Sequence, residues 1–308
     1  MRVGVFIGTV GAAPDLEGQV RQVVEAEEDG FDSFWSAQIL GVDALTLIAV
    51  AGQRTERIEM GTAVVPIFVR HPLVMAQTAL SAQAASRGRL ALGMGVAHKP
   101  TVEDRLGLRF ERPAQHMLEY LTVVRSLVDK RSVDYKGEVF RVNAAIDLGD
   151  VKPFPILIAA LAPRMLRIAG ELTEGTITWM TGPKTLESYV VPRIEAAARE
   201  AGRPRPRVCV GVPIAVTDDA RAARETAAVV FQRYGQLPSY RRMLDVEGVE
   251  APEDVVVVGN EEEVEKRLRR IADAGATDLL AAMFPVGQDE KASVARTRAL
   301  LKSLVGKI

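Results

Sequence analysis

The chain has 308 residues, 48% of them hydrophobic and 26% charged, with 39 basic against 40 acidic side chains, the composition of a globular protein. That near-neutral balance argues against a nucleic-acid or membrane-surface binder. The single cysteine, Cys209, excludes an internal disulfide and a thiolate zinc site. No apolar run approaches the ~20 residues that span a bilayer, and the opening RVGVFIG carries no signal-peptide pattern, so a soluble cytoplasmic protein is expected.

In chain order, short apolar runs alternate with longer amphipathic ones. RVGVFIG (2–8) predicts a buried strand, and Asp15 to Asp29 a helix ended by Gly30. FDSFWS (31–36) predicts a second strand and Asp43 to Arg54 a helix. IEMGTAVV (58–65) predicts a third strand, Pro72 to Ser86 a helix, and RLALGMG (89–95) a fourth strand. The helix Arg112 to Asp129 places Met117, Leu121, Val124 and Val128 on one face. VDYKGEVFRV (133–142), with its polar centre, reads as a hairpin or an edge excursion. PILIAA (155–160) predicts strand five, followed by a helix opening at Ala162-Pro163. GTITWM (175–180) predicts strand six, then a helix Lys184 to Ala201. RVCVGVPIAV (207–216) predicts strand seven, a helix from Asp218 to Tyr234, and then an irregular insert, 235–253. Asn260 and Glu263 form a capping box for a helix to Ala274, stopped by Gly275. TDLLAAMF (277–284) predicts strand eight, with a last helix to Leu304.

Eight strand–helix units with strands apolar throughout describe parallel strands buried on both faces. The expected fold is an α/β class (β/α)8 TIM barrel with insertions, and a doubly wound sheet is its competitor. No linker-like composition divides the chain, so residues 1–308 read as one domain. A barrel keeps its chemistry at the C-terminal ends of its strands. Those ends are Gly8-Thr9, Ser36-Ala37-Gln38, Ala63-Val64-Val65, Gly95 to His98, Ala159 to Ala162, Trp179-Met180, Pro213 and Phe284-Pro285.

None of the three histidines, His71, His98 and His116, pairs with another ligand at metal spacing, so no metal is expected. His71 reads as a helix cap, His116 as a structural or exposed helix residue, and His98 as the histidine at a strand end. LGMGVAHKP has two glycines after a strand, but Pro100 follows where a dinucleotide fingerprint needs a helix. In AALAPRM (159–165), small residues and Pro163 open a helix whose N-terminus suits an anion, or form a tight turn. Trp179 suits a pocket wall or the core, and Cys209 the core.

At GTAVVPIFVRHP, followed by ASRGRLALGMG, the chain resembles the luciferase-like monooxygenase superfamily, flavin- or deazaflavin-dependent (β/α)8 enzymes. GVDALTLIAVAGQRTERIEMGT (41–62), VDYKGEVFRV, PILIAALAPRMLRIAGELTEG (155–175) and GNEEEVEKRLRRIADAGATDLL (259–280) extend the resemblance along nearly the whole chain. It implies a cis peptide bulge at Ala63-Val64, behind the central ring of the cofactor. It also implies cofactor contacts from Ser36, Thr62, Ala63, Val64, Gly95, Val96, His98, Ala160, Leu161, Ala162, Pro163 and Trp179, with His98 as the candidate catalytic residue. The chain departs from the family at Ser36-Ala37-Gln38, where several members carry a catalytic histidine, and at Val96, where luciferase has an arginine for the flavin phosphate. The LALGMGVAHKP and FERPAQHMLEYL segments are similar to members that use coenzyme F420.

Three functions follow from the resemblance. One is a coenzyme F420-dependent oxidoreductase moving hydride between the deazaflavin C5 and a small substrate, with insert 235–253 as a lid carrying Tyr240 and Met243 beside Tyr234. The second is an FMN-dependent monooxygenase using oxygen, and the third a barrel that binds flavin without turnover. A homodimer is a family-level expectation.

Overall fold

The computed structural model describes residues 1–308. Eight strands form its centre: β1 (Arg2–Ile7), β2 (Ser33–Ser36), β3 (Glu59–Thr62), β4 (Leu90–Gly95), β5 (Ile156–Ala159), β6 (Gly175–Trp179), β7 (Arg207–Val216) and β8 (Asp278–Met283). Each pairs in parallel with the next, and β8 returns to β1 through Arg2↔Asp278 to Val5↔Ala281, closing a (β/α)8 barrel. Closure gives every strand two covered faces, which is why the runs read as apolar rather than alternating.

Ten helices surround the strands: α1 (Leu16–Glu28), α2 (Ala44–Ala51), α3 (Pro72–Ala85), α4 (Pro113–Lys130), α5 (Pro163–Leu172), α6 (Val191–Glu200), α7 (Ala220–Gly235), α8 (Pro238–Glu247), α9 (Glu261–Asp273) and α10 (Glu290–Leu304). Several starts are set by side-chain caps that satisfy orphan N–H groups. Asp15 accepts from Gly18 N at 2.7 Å, Asp43 from Thr46 N at 2.9 Å, and His71 Nδ1 from Leu73 N at 3.2 Å. The capping box of α9 is present in both directions, each bond 3.0 Å. Met117, Leu121, Val124 and Val128 are all buried under α4.

Residues 132–145 form the antiparallel hairpin, Ser132–Lys136 with Arg141–Ala145. Its turn is clamped to α4 by the buried Glu119 carboxylate, which accepts from the N–H groups of Glu138, Val139 and Phe140 at 3.1, 2.8 and 3.0 Å. Burial raises the Glu119 pKa, but these bonds and one from Gln115 outweigh it and hold the group below the usual carboxylate range.

Four expectations are corrected. The insert 235–253 is not irregular. It contains α8, which opens on Pro238 and ends at Gly248 in the left-handed region (φ 82°), the Pro-start, Gly-stop asymmetry of helices. The run 184–201 is regular α-helix only from Val191, after a short α turn (Pro183–Thr185) and a wider π turn (Leu186–Val190). A five-residue π-type turn, Thr101–Arg105, follows Pro100 directly. Pro213 lies within β7 rather than at its end, past the last pairing with β6 (Gly211↔Trp179), where a missing N–H leaves no β6 partner unmatched.

β7 is the longest strand because it pairs with three others, β6, β8 and an outer strand. Its lower part closes the barrel, and its upper end pairs with the short outer strand Val257–Gly259 through Ile214↔Val257 and Val216↔Gly259. Helices α7 and α8 leave and return between these adjacent stems.

Inside the barrel, Trp35 fills the lower space, its indole N–H donating to Ser33 Oγ at 2.9 Å. A Cβ at Gly61 would lie 2.2 Å from that ring, so the β3 position opposite tolerates no side chain. Cys209 is a fully buried neighbour whose thiol burial pushes up, leaving it inert. Below Trp35, an ion-pair network seals the N-terminal end. Arg207 reaches Asp278 at 2.6 Å and Glu59 at 2.8 Å, and Arg2 reaches Glu59 at 3.0 Å and Asp278 at 3.3 Å. Burial raises the Asp278 pKa, but Arg207, Thr277 and Arg2 outweigh it and hold the carboxyl below its ordinary range.

Candidate active site at the barrel mouth

At the C-terminal end, the ladder between β3 and β4 is interrupted. Gly61 pairs with Ala91 and Val65 with Met94, so Thr62, Ala63 and Val64 stand opposite Leu92 and Gly93 alone. One extra residue on one side is a β-bulge. Thr62 fills the gap, its hydroxyl donating to Gly93 O at 2.7 Å and accepting from Gly93 N at 2.9 Å. On the other flank the Ala63 N–H donates to Ser36 O at 2.9 Å. The Ala63–Val64 peptide within the bulge is cis, as the resemblance implies.

The bulge brings Ala63 and Val64 onto the top layer of the barrel interior, with Ala37 and Trp179. A Cβ at Gly95 would lie 2.5 Å from Val64 Cγ2 and 3.4 Å from Ala159 Cβ, so glycine is the residue that lets Val64 lie flat there. Ala63, Val64, Gly95 and Ala159 thus make a floor almost without protruding side chains.

Across the mouth runs a row of aromatic rings. Phe6 meets Trp179 edge-on at 5.3 Å between centroids, and Trp179 meets Tyr234 at 6.0 Å. Tyr234 meets Tyr240 at 5.0 Å, and Tyr240 meets His98 at 5.7 Å. Tyr234 comes from α7 and Tyr240 from α8, so these helices close over the strand ends. Beneath the row, a Cβ at Gly211 would lie 2.8 Å from Trp179 Cε3, which fixes the indole from below. The Trp179 indole N–H is buried and has no partner, an arrangement costly in a finished interior. The Tyr234 hydroxyl is matched with Thr9 Oγ1 at 3.2 Å. The Tyr240 hydroxyl and the His98 ring nitrogens make no hydrogen bond. Burial lowers the His98 pKa and the Arg233 charge lowers it further, so the ring is neutral near pH 7. Burial, then Tyr234, raises that of Tyr240, keeping its hydroxyl protonated.

Of the residues singled out in the sequence, Ala63, Val64, Gly95, Val96, His98, Leu161 and Trp179 lie half-buried or buried around the mouth. Ala160 is buried behind it, and Ala162 and Pro163 are exposed on its rim at the start of α5, which has no side-chain cap. Beside that start, Arg112, Gln115, Glu138 and Arg164 line a surface cavity of about 360 Å³. Thr62 departs from its expected role: it is fully buried and its hydroxyl is committed to Gly93, so it shapes the floor without facing it. Ser36 acts through its backbone carbonyl. The sequence reading left Phe6 out of the site. Its place two residues before Gly8, on the inward alternation of β1, is the signal that finds it. Among all residues, no cluster of three metal-ligating side chains exists, and no helix is long and apolar enough to cross a membrane.

A parallel eight-stranded barrel with unmatched polar groups at its C-terminal face has the arrangement in which barrel enzymes keep their active sites. Residues 1–305 match the family described as luciferase-like monooxygenase, and the chain belongs to that family of oxidoreductases. A Mycobacterium tuberculosis relative provisionally named coenzyme F420-dependent oxidoreductase is 31% identical over 241 residues, 72% of this chain and 69% of its own. Among solved structures, an F420-dependent secondary alcohol dehydrogenase in complex with an F420-acetone adduct aligns with a TM-score of 0.80 and 21% identity, covering 99% of this chain and 98% of that one. The oxygenating constituent of 3,6-diketocamphane monooxygenase from Pseudomonas putida, in complex with FMN, aligns with a TM-score of 0.77 and 18% identity, covering 100% and 97%. At these identities the structural likenesses establish the fold.

Proposed function

We propose that the protein is a coenzyme F420-dependent oxidoreductase that transfers hydride between the deazaflavin C5 and a small organic substrate. One observation carries the reading: a floor with few protruding side chains, Ala63, Val64, Gly95 and Ala159, lies at the same barrel end as a buried indole N–H that lacks an acceptor. A flat tricyclic ring bearing carbonyl oxygens fits both features. Preference for deazaflavin over FMN rests on the 31% identical relative and on Val96, which offers a phosphate no charge.

In this reading the cofactor supplies the redox chemistry, and the chain supplies position and dryness. Thr62 and Ser36 hold the bulge against β4 and β2, and Ala63 and Val64 back the ring. Gly95, Val96 and His98 would hold the ribityl-phosphate side from the β4 loop. Ala160, Leu161, Ala162 and Pro163 would hold the ribityl-phosphate side beside the uncapped N–H groups of α5, where the helix dipole favours negative charge. Arg164 and Arg112 stand beside that point. His98, neutral and at a strand end, is the side chain placed to take or give a proton. Helices α7 and α8 exclude water. A homodimer in the cytoplasm completes the reading.

Titration of the purified protein with oxidised coenzyme F420 and with FMN, followed by cofactor absorbance and fluorescence, tests it. Saturable deazaflavin binding at least tenfold tighter than FMN is expected. Binding of FMN alone overturns it in favour of the oxygen-using monooxygenase. Binding without oxidation or reduction of the cofactor by any substrate favours the non-catalytic barrel.

A further inference from the structure

Besides Trp179 Nε1, which the cofactor reading uses, the mouth holds two groups able to make hydrogen bonds that have no protein partner: the Tyr240 hydroxyl and the His98 imidazole. All three belong to one row of touching rings. No side chain of that row carries charge near pH 7. Arg233, the cation whose charge reaches His98, is exposed and its guanidinium donates to Thr101 Oγ1 at 3.0 Å. An ionised ligand in such a place would lose its hydration and find no charged side chain within the row to pair with, a large penalty. A neutral molecule with an apolar body and one oxygen function would lose little. Its body would lie on aromatic rings and its oxygen would meet a donor.

We infer that the substrate is an uncharged carbonyl compound or alcohol, and that the Tyr240 hydroxyl is the specificity-determining group that binds its oxygen. This rests on the proposed oxidoreductase reading and adds the substrate class to it. Tyr240 sits on α8, in a different chain segment from every residue assigned to the cofactor. Its ring is held between Tyr234 and His98, so the hydroxyl is presented at low conformational cost. Tyr234 does not compete for the role, because Thr9 already engages its hydroxyl.

The chain's two tryptophans provide the readout. Trp35 is sealed in the barrel with its N–H bonded to Ser33, so quenching by a ligand at the mouth reports on Trp179. The probes are acetophenone, benzoate and ethylbenzene, matched in size and differing in oxygen and charge. Acetophenone is expected to bind at least tenfold tighter than benzoate. Tyr240→Phe, which removes only the hydroxyl, is expected to raise the acetophenone Kd five- to tenfold, the worth of one hydrogen bond, and to leave ethylbenzene unchanged. Equal binding of benzoate, an unchanged acetophenone Kd in Tyr240→Phe, or no quenching by acetophenone up to its solubility would each overturn the inference. Unaltered far- and near-UV circular dichroism checks that the variant is folded.

Repeating the titration with oxidised coenzyme F420 separates the two ideas. If the ketone pattern holds while deazaflavin does not bind, the cofactor reading fails and the substrate class stands. If deazaflavin saturates while Tyr240→Phe changes nothing, the substrate inference alone fails.

Discussion

The two ends of the barrel treat polar groups in opposite ways. At the N-terminal end, Arg2, Glu59, Arg207 and Asp278 satisfy one another across four strands, and Asp278 is only 1% exposed. At the C-terminal end, Trp179, Tyr240 and His98 keep donors and acceptors unmatched, and the floor beneath them is cleared of side chains. A group satisfied inside the protein has no bond left to offer a ligand; a group left unsatisfied is available to something that arrives later. On the proposed function, the contrast separates the part of the barrel that keeps it folded from the part that does chemistry.

The strongest way to break this division is Arg207→Met, which leaves the buried Asp278 and the half-buried Glu59 without their main partner. A loss of about 3–5 kcal/mol is expected, read as a lower urea midpoint, with deazaflavin affinity unchanged in protein that remains folded. Next comes Gly95→Val, which puts a side chain where Val64 lies. It is expected to cost about 1–3 kcal/mol by overpacking and to weaken deazaflavin binding at least tenfold, so the mouth loses function before fold.

Acid sharpens the same comparison. Asp278 has a pKa below its unfolded value, so its contribution is complete above about pH 4, the unfolded range, and is lost as pH falls through the folded pKa. The urea midpoint should therefore fall as pH drops below about 4, and Asp278→Asn, already less stable at neutral pH, should show a flatter profile. The smallest effect on stability is expected of Trp179→Phe. Removing an N–H that has no partner should change the unfolding free energy by less than about 1 kcal/mol, since no made hydrogen bond is lost. Deazaflavin affinity should nonetheless drop severalfold in the same titration.

The sequence made the scaffold legible because its signals are local. Asp15, Asp43, His71 and the Asn260–Glu263 pair announce helix starts within three residues of the bonds they make. Strands covered on both faces announce themselves by unbroken apolar runs. What escaped were features whose cause lies elsewhere in the chain. Helix α8 opens after Leu237, which has no capping side chain, and its buried face is defined by packing against α7 and the 183–185 turn. Thr62 looked like a cofactor contact because it sits at a strand end; only the register slip against β4 turns its hydroxyl to Gly93. The meeting of His98 with Tyr240, 142 positions apart, is a product of closure and has no trace in either local stretch.

The short strand Val257–Gly259 beside the end of β7 has a consequence for how such a protein can diversify. Residues 217–256 depart from Val216 and come back to a neighbouring stem, with Thr217 N bonded to Gly259 O at 2.8 Å. The segment carrying Tyr234 and Tyr240 is therefore a cassette on a closed base. Recombination could exchange it for another of different length without moving β3, β4 or β5. In such a molecule, substrate range can drift quickly while the redox apparatus stays still.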